Sequence, residues 1–206
     1  MKLKICGMKY PRNIKEVAAL KPDYMGFIFY AKSPRFVTVD EVKESIENLG
    51  SGISKVGVFV NHPVADLIET CKALNLDFAQ LHGDEMPAEV SEIKSAGIGV
   101  FKVFRIDAQF DWDKTIPFDD ADFFLFDTAT PDFGGSGKHF DWNVLNKYKE
   151  KKLFFLSGGI GIEDIAAIKK LKLPNLWGID TNSRMEVSPG RKDVNRVQIL
   201  IKELTK

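Results

Sequence analysis

Eight short apolar runs, each separated from the next by a longer segment, constrain this chain more than any other feature. The runs are Leu3–Cys6, Tyr24–Phe29, Lys55–Val60, Phe78–Leu81, Val100–Arg105, Asp122–Phe126, Leu153–Leu156 and Leu176–Ile179. Each has strand length and is mostly apolar, as expected of strands buried on both faces of a parallel sheet. Between them lie Arg12–Leu20, Val39–Leu49, Val64–Leu74, Ala88–Ala96, Asn143–Lys149, Glu163–Lys170 and Val194–Leu204, which read as amphipathic helices. In the last, Val194, Val197, Ile201 and Leu204 are three, four and three residues apart, while Lys202 and Glu203 face water. Pro11, Pro63 and Pro87 stand where helices start, and Asp141 is placed to cap the segment after it. Asp107–Asp120 breaks the pattern. Despite Phe110, Trp112 and Ile116, its five aspartates and Pro117 predict a fifth helix that is short or missing.

Such alternation has two main solutions in the α/β class, an open doubly wound sheet and a closed (β/α)₈ TIM barrel. Eight strands without a composition break, linker or low-complexity tract favour closure, and 206 residues lie at the short end of the barrel range. The expected architecture is one barrel over residues 1–206. Composition narrows the function. With 29 Lys+Arg against 29 Asp+Glu the formal net charge is zero, which argues against bulk nucleic-acid binding. No apolar run approaches membrane-span length, and Met1–Gly7 turns polar too soon for a signal-peptide core. Two cysteines, Cys6 and Cys71, build no disulfide framework, so a reducing cytosol is the expected compartment. The helical faces show no extra apolar stripe, and a monomer is expected.

In a barrel, reactive residues gather where strands end and βα loops begin. That rule selects Cys6, Arg35, His82, Asp127, Ser157-Gly158-Gly159 and Asp180-Thr181-Asn182-Ser183 for one rim. Gly158-Gly159 stands just before a helix expected near Ile162, and Asn182-Ser183 adds small polar groups beside it. Loops after the seventh and eighth strands commonly hold phosphate, and exposed amides at a helix start attract anions. The competing reading is a simple chain turn; the pairing of the two turns favours phosphate. Asp127 emerges from Phe123-Phe124-Leu125-Phe126, and so apolar a strand favours the neutral acid, which suits a proton donor. It is otherwise a helix cap or a lysine partner. Cys6 is either a reacting thiol or a small buried hydrophobe, and Cys71, among Ile68 and Leu74, is only the latter. Arg35 either grips a carboxylate through its fork or is a solvated surface arginine. His82 has no second His or Cys at metal spacing, so a packing or orienting role is favoured and no metal site is expected. Gly134-Gly135-Ser136-Gly137-Lys138 imitates a phosphate loop, but Asp132 and His139 occupy the positions that loop needs for glycine and Ser/Thr. A lid over the rim is the expectation there.

These residues together resemble the phosphoribosylanthranilate isomerase family. The resemblance rests on Lys4-Ile5-Cys6-Gly7, Gly26-Phe27-Ile28-Phe29, Ser33-Pro34-Arg35, Val56–Asn61, Gln80-Leu81-His82-Gly83 and Phe126-Asp127-Thr128. It continues through Gly134–Gly137, Phe140-Asp141-Trp142, Ser157-Gly158-Gly159-Ile160 and Pro189–Asp193, in order from the first strand to the last helix. It implies an Amadori rearrangement of a small phosphorylated substrate in tryptophan synthesis, with no metal or organic cofactor. It also implies Cys6 as general base, Asp127 as general acid, Arg35 on the anthranilate carboxylate and the last two turns on the phosphate. A free thiol titrates near about pH 8.5, so a modest depression is expected to populate the base. Arg184 stands where many relatives carry glycine, leaving open whether it meets the phosphate or points outward. Two other readings stand beside this one: another phosphosugar isomerase or synthase on the same scaffold, and a barrel that binds a phosphorylated metabolite without converting it. A thiol-redox role is weakest, for want of a Cys-x-x-Cys pair.

Overall fold

The computed structural model describes residues 1–129 and 140–206 of the chain. Eight parallel strands close into a barrel in sequence order: β1 Lys2–Ile5, β2 Tyr24–Ile28, β3 Ser54–Phe59, β4 Phe78–Leu81, β5 Gly99–Ile106, β6 Phe123–Thr128, β7 Phe154–Leu156 and β8 Leu176–Thr181. Closure comes from β1 pairing with β8, in a register that sets Lys4 against Asp180. The helices are α1 Pro11–Ala18, α2 Val39–Glu47, α3 Val64–Ala73, α4 Pro87–Ser95, α5 Ile165–Ile168 and α6 Val194–Thr205. None of them is long and apolar enough to cross a membrane.

The two-residue period of a strand divides the core into an outer and an inner part. Outward residues such as Ile5, Phe27, Phe59 and Phe124 meet the helices in one large cluster. Inward residues from five strands (Tyr24, Val56, Phe101, Val103, Leu125 and Phe155) form a second cluster that plugs the lower lumen, with Phe78 and Phe123 against it. Ring centroids there lie 5.0 to 6.0 Å apart, mostly edge to face. One step higher on the same inner face stand Cys6, Ile28 and Val58. The alternation that hides the strands from a simple amphipathic reading therefore also aims their last side chains into the mouth.

Local chemistry explains where the helices begin. Proline opens α1 and α4, Thr38 and Glu41 form a reciprocal capping box on α2, and Asp193 caps α6 by accepting from the Asn195 and Arg196 amides. The expected weak fifth helix is a 3₁₀ segment, Trp112–Phe118, that contains Pro117. Two expected α-helices differ. Asn143–Lys149 is a 3₁₀ segment over Trp142–Lys147, where Asn143 and Asn146 leave little helix propensity. The span 163–170 is split into a 3₁₀ turn, Ile162–Asp164, and the single α-turn of α5. A hairpin of β9 Glu186–Ser188 and β10 Arg191–Lys192 comes after β8, its strands too short to produce a periodic signal. The expected lid at Gly134–Lys138 falls outside the described residues.

Candidate active site

A cleft opens at the C-terminal mouth of the barrel. Its lining brings together Cys6, Arg35, His82, Asp127, Ser157, Gly158, Gly159, Asp180, Asn182 and Ser183, all of the rim residues selected from the sequence except Thr181. Cys6 enters from the end of β1 and Asp127 from β6, across the lumen from one another in strand order.

Cys6 is 4% exposed and packs on Ile28 and Val58. Burial pushes its thiol up; the Lys4 ammonium opposes that, Asp180 adds to it, and Lys192 opposes it from the hairpin. The expected depression is therefore absent, because desolvation outweighs the neighbouring cations. Cys71 lies in α3, where burial alone pushes its thiol up to about 12, in keeping with a packing role.

The Asp127 carboxylate accepts from the Thr128 amide at 2.8 Å, and its other oxygen lies 3.4 Å from His82 Nε2. That second approach is an electrostatic contact rather than an aligned hydrogen bond. His82 Nδ1 lies 3.3 Å from Gln80 Nε2, so the ring stands between Gln80 and the acid. Gln80 is buried, lines the cleft, and keeps its Oε1 without a partner among the described residues.

Arg35 is not a solvated arginine. Its Nε donates to both Glu186 oxygens at 2.9 and 3.1 Å, and Nη2 donates to Oε2 at 2.7 Å. Glu186 also accepts from Lys192 Nζ at 2.7 Å. The resulting trio is asymmetric. Burial works against the Glu186 carboxylate, but Arg35 and Lys192 overcome it and hold the carboxyl below its ordinary range. Lys192 has one carboxylate against near-complete burial and lies close to Arg35, so its ammonium is pushed down to about 8.

The two small-residue turns meet as expected: Thr181 Oγ1 donates to the Ile160 carbonyl at 2.8 Å, tying the end of β8 to the β7 turn. Gly158 has φ +98°, and a Cβ there would collide with Thr128 Oγ1, so the turn needs glycine twice over. The β7 turn leads into the 3₁₀ turn at Ile162 rather than a long helix, which leaves local amides rather than a helix dipole to favour an anion. Within these turns Asp180 faces away from an anion role, with Oδ1 on Lys4 and Oδ2 3.3 Å from Ser157 Oγ. The Asn182 Oδ1 accepts from Lys192. Arg184 reaches along the rim to Glu163 at 2.5 Å.

Sequence reasoning assigned no role to Lys4, Gln80, Glu186 or Lys192. Lys4 had a readable signal, since a lysine two residues before Cys6 in a strand buried on both faces must point into the lumen. Glu186 and Lys192 had none, because only the hairpin folds them over Arg35. No group of three His, Cys, Asp or Glu among the described residues is arranged to hold a metal ion.

The family model for N-(5'phosphoribosyl)anthranilate (PRA) isomerase matches residues 3–203. The N-(5'-phosphoribosyl)anthranilate isomerase of Parabacteroides distasonis is 42% identical over 209 residues, covering 99% of this chain and 93% of that protein. Its counterpart in Phocaeicola vulgatus is 38% identical, covering 99% and 98%. The crystal structure of phosphoribosyl anthranilate isomerase from Thermotoga maritima superposes with a TM-score of 0.90 at 29% identity, covering 100% of this chain and 98% of that one. Sequence and overall fold agree, and the chain belongs to the N-(5'-phosphoribosyl)anthranilate isomerase family.

Proposed function

We propose that this chain isomerises N-(5'-phosphoribosyl)anthranilate to 1-(2-carboxyphenylamino)-1-deoxyribulose 5-phosphate in tryptophan biosynthesis, with Asp127 as general acid and Cys6 as general base. The observation that supports it best is the delivery of a thiol and a carboxylate from β1 and β6 into one cleft that Arg35 and the β7 and β8 turns also line. Asp127 gives its proton to the furanose oxygen as the C1'–O bond breaks, leaving a cationic imine between C1' and the anthranilate nitrogen. That cation acidifies C2'–H. The Cys6 thiolate takes this proton, and the electron pair moves into a C1'–C2' double bond and neutralises the nitrogen. The enolamine gains a proton at C1' and loses one from its C2' hydroxyl, which yields the ketone. Proton transfers alone move the electrons, so the sequence calls on no cofactor.

His82 orients Asp127, and the buried Gln80 Oε1 accepts from a substrate donor. Arg35, aligned by Glu186, takes the anthranilate carboxylate with the donors that Glu186 leaves unused. Gly159 and Ser183 mark the phosphate end. One chain carries every group invoked and the cytosol keeps Cys6 reduced, so we assign a cytosolic monomer; light scattering on purified protein tests the oligomeric state, because a solved structure at 25% identity is of monomers generated from an enzyme of Thermotoga maritima described as dimeric.

The test is the loss of anthranilate fluorescence on turnover by the parent and by Cys6→Ala and Asp127→Ala. Each variant is expected to lose turnover while keeping its fold by circular dichroism. Near-parent rates in both would refute the assignment, and binding without conversion by the parent would favour a metabolite-binding barrel.

A further inference from the structure

The proposed base stands in a place that opposes its ionisation, and one buried group on the same strand answers that problem. Lys4 lies in β1 and Cys6 directly follows the strand, two residues on, so both point into the lumen. Lys4 is fully buried, and its Nζ donates to Asp180 Oδ1 at 2.8 Å. The space beside them is empty of side chain because β2 carries Gly26. A Cβ on Gly26 would lie 2.9 Å from Cys6 Sγ and 3.2 Å from Lys4 Nζ, which places sulfur and ammonium together against one glycine. Burial acts to strip the Lys4 proton, yet Asp180 and the Cys6 sulfur hold it there, so this residue stays a cation.

From this geometry we infer that Lys4 is a positioning residue whose buried ammonium, anchored by Asp180, offsets part of the cost of burying the Cys6 thiolate and so brings the reactive form within reach. The inference rests on Cys6 being the base. A lysine in the lumen without such a task is costly, because taking its charge out of water is repaid only by close partners. Asp180 serves as the anchor, and although it disfavours the thiolate, Lys4 weighs more heavily on the sulfur. Lys192 acts on Cys6 in the same sense as Lys4. Arg35, His82, Asp127 and Tyr30 line the same cleft and are common to every variant compared, so differences between variants report Lys4.

The experiment titrates Cys6 directly, by thiolate ultraviolet absorbance and by iodoacetamide alkylation, in a Cys71→Ala background. Lys4→Met is expected to raise the Cys6 midpoint by about one pH unit or more, the scale of one neighbouring charge in a buried site. It is also expected to lower kcat/KM near neutral pH by about ten-fold, with the acidic limb of the pH profile displaced by the same amount and KM little changed. Lys4→Met leaves Asp180 buried without its partner, so Lys4→Met/Asp180→Asn, which removes both charges, is measured beside it and should still titrate above the parent. Lys4→Arg, which keeps the charge, should restore part of the shift. A purely structural lysine would lower the folded fraction without moving the titration of the folded protein. A midpoint unchanged from the parent in the double variant overturns the inference. Full turnover by Cys6→Ala instead overturns the underlying assignment of the base, so the two failures are distinguishable.

Discussion

The replacement Glu85→Gln tests how the rim next to His82 is held. Glu85 is buried at the head of α4, and its carboxylate serves several partners at once. Its two oxygens accept from the Asn61 amide at 2.9 Å, from the Gly83 amide at 3.0 Å each, and from Lys102 Nζ at 2.7 Å. Lys102 also donates to the Gly83 carbonyl at 2.9 Å, and the Asn61 side chain accepts from the Asp84 amide at 2.7 Å. The ends of β3 and β4 are thereby knotted through one side chain, and the ion pair is nearly dry, at 4% and 3% exposure. Glutamine keeps the shape but leaves one acceptor oxygen, and it leaves a buried ammonium with no counter-charge. Breaking one side of such a pair costs about 3–5 kcal/mol. In a chain of this size that lowers the melting temperature by roughly 6–20 °C, at about 2–4 °C per kcal/mol. Urea denaturation followed by tryptophan fluorescence and circular dichroism measures the loss. The double variant Glu85→Gln/Lys102→Met removes the stranded charge and should recover at least about 2 kcal/mol of it, because the cost lies in the unpaired ion and not in the missing attraction. A loss below about 1 kcal/mol in Glu85→Gln, or a double variant that merely adds the two single losses, would refute this reasoning.

Two more outcomes concern the site itself. Lys192 holds its proton less tightly when folded, at about 8, than in the unfolded chain near 10.5. Between those values the unfolded chain binds more protons, so this lysine makes stability rise with pH across that window. Denaturation midpoints measured from neutral pH upward should show the slope in the parent and lose it in Lys192→Met; identical slopes would contradict the burial argument. Gly26→Ala places a methyl 2.9 Å from Cys6 Sγ and 3.2 Å from the Cys6 Cα. The sulfur can yield but the backbone cannot, at a cost of about 1–3 kcal/mol for overpacking. Turnover should fall more steeply than stability, and an alanine variant with parent kcat would show that the thiol's position matters little.

Legibility from sequence tracked range. The eight strands were readable because each is an apolar run bounded by polar turns, and that pattern is local. The helices α1, α2, α3, α4 and α6 were readable for the same reason, with Pro11, Pro63 and Pro87 marking the starts of α1, α3 and α4. Asn143–Lys149 and Glu163–Lys170 were misread as ordinary helices, since a 3₁₀ turn and a short α-helix carry the same apolar spacing over six or seven residues. The hairpin β9–β10 had too few residues to show a period at all.

The amino-acid order alone determined which side chains could reach the mouth. Once alternating strands are expected to close, Cys6, Asp127 and the residues after β7 and β8 stand at strand ends whatever the loops do. Their identities limited the chemistry to a thiol, a carboxylate, a guanidinium and small turns. The electrostatic state of those groups was decided only by the tertiary structure. Lys4 meets Asp180 across the β1–β8 seam, a separation of 176 residues, and Glu186 reaches Arg35 across 151. A charge inside a barrel is governed by partners brought together by closure and by the water that closure excludes, and neither is written in local spacing. The expected easy thiolate at Cys6 was therefore a statement about a free cysteine, while the folded one depends on a lysine two residues away and an aspartate on the opposite end of the chain.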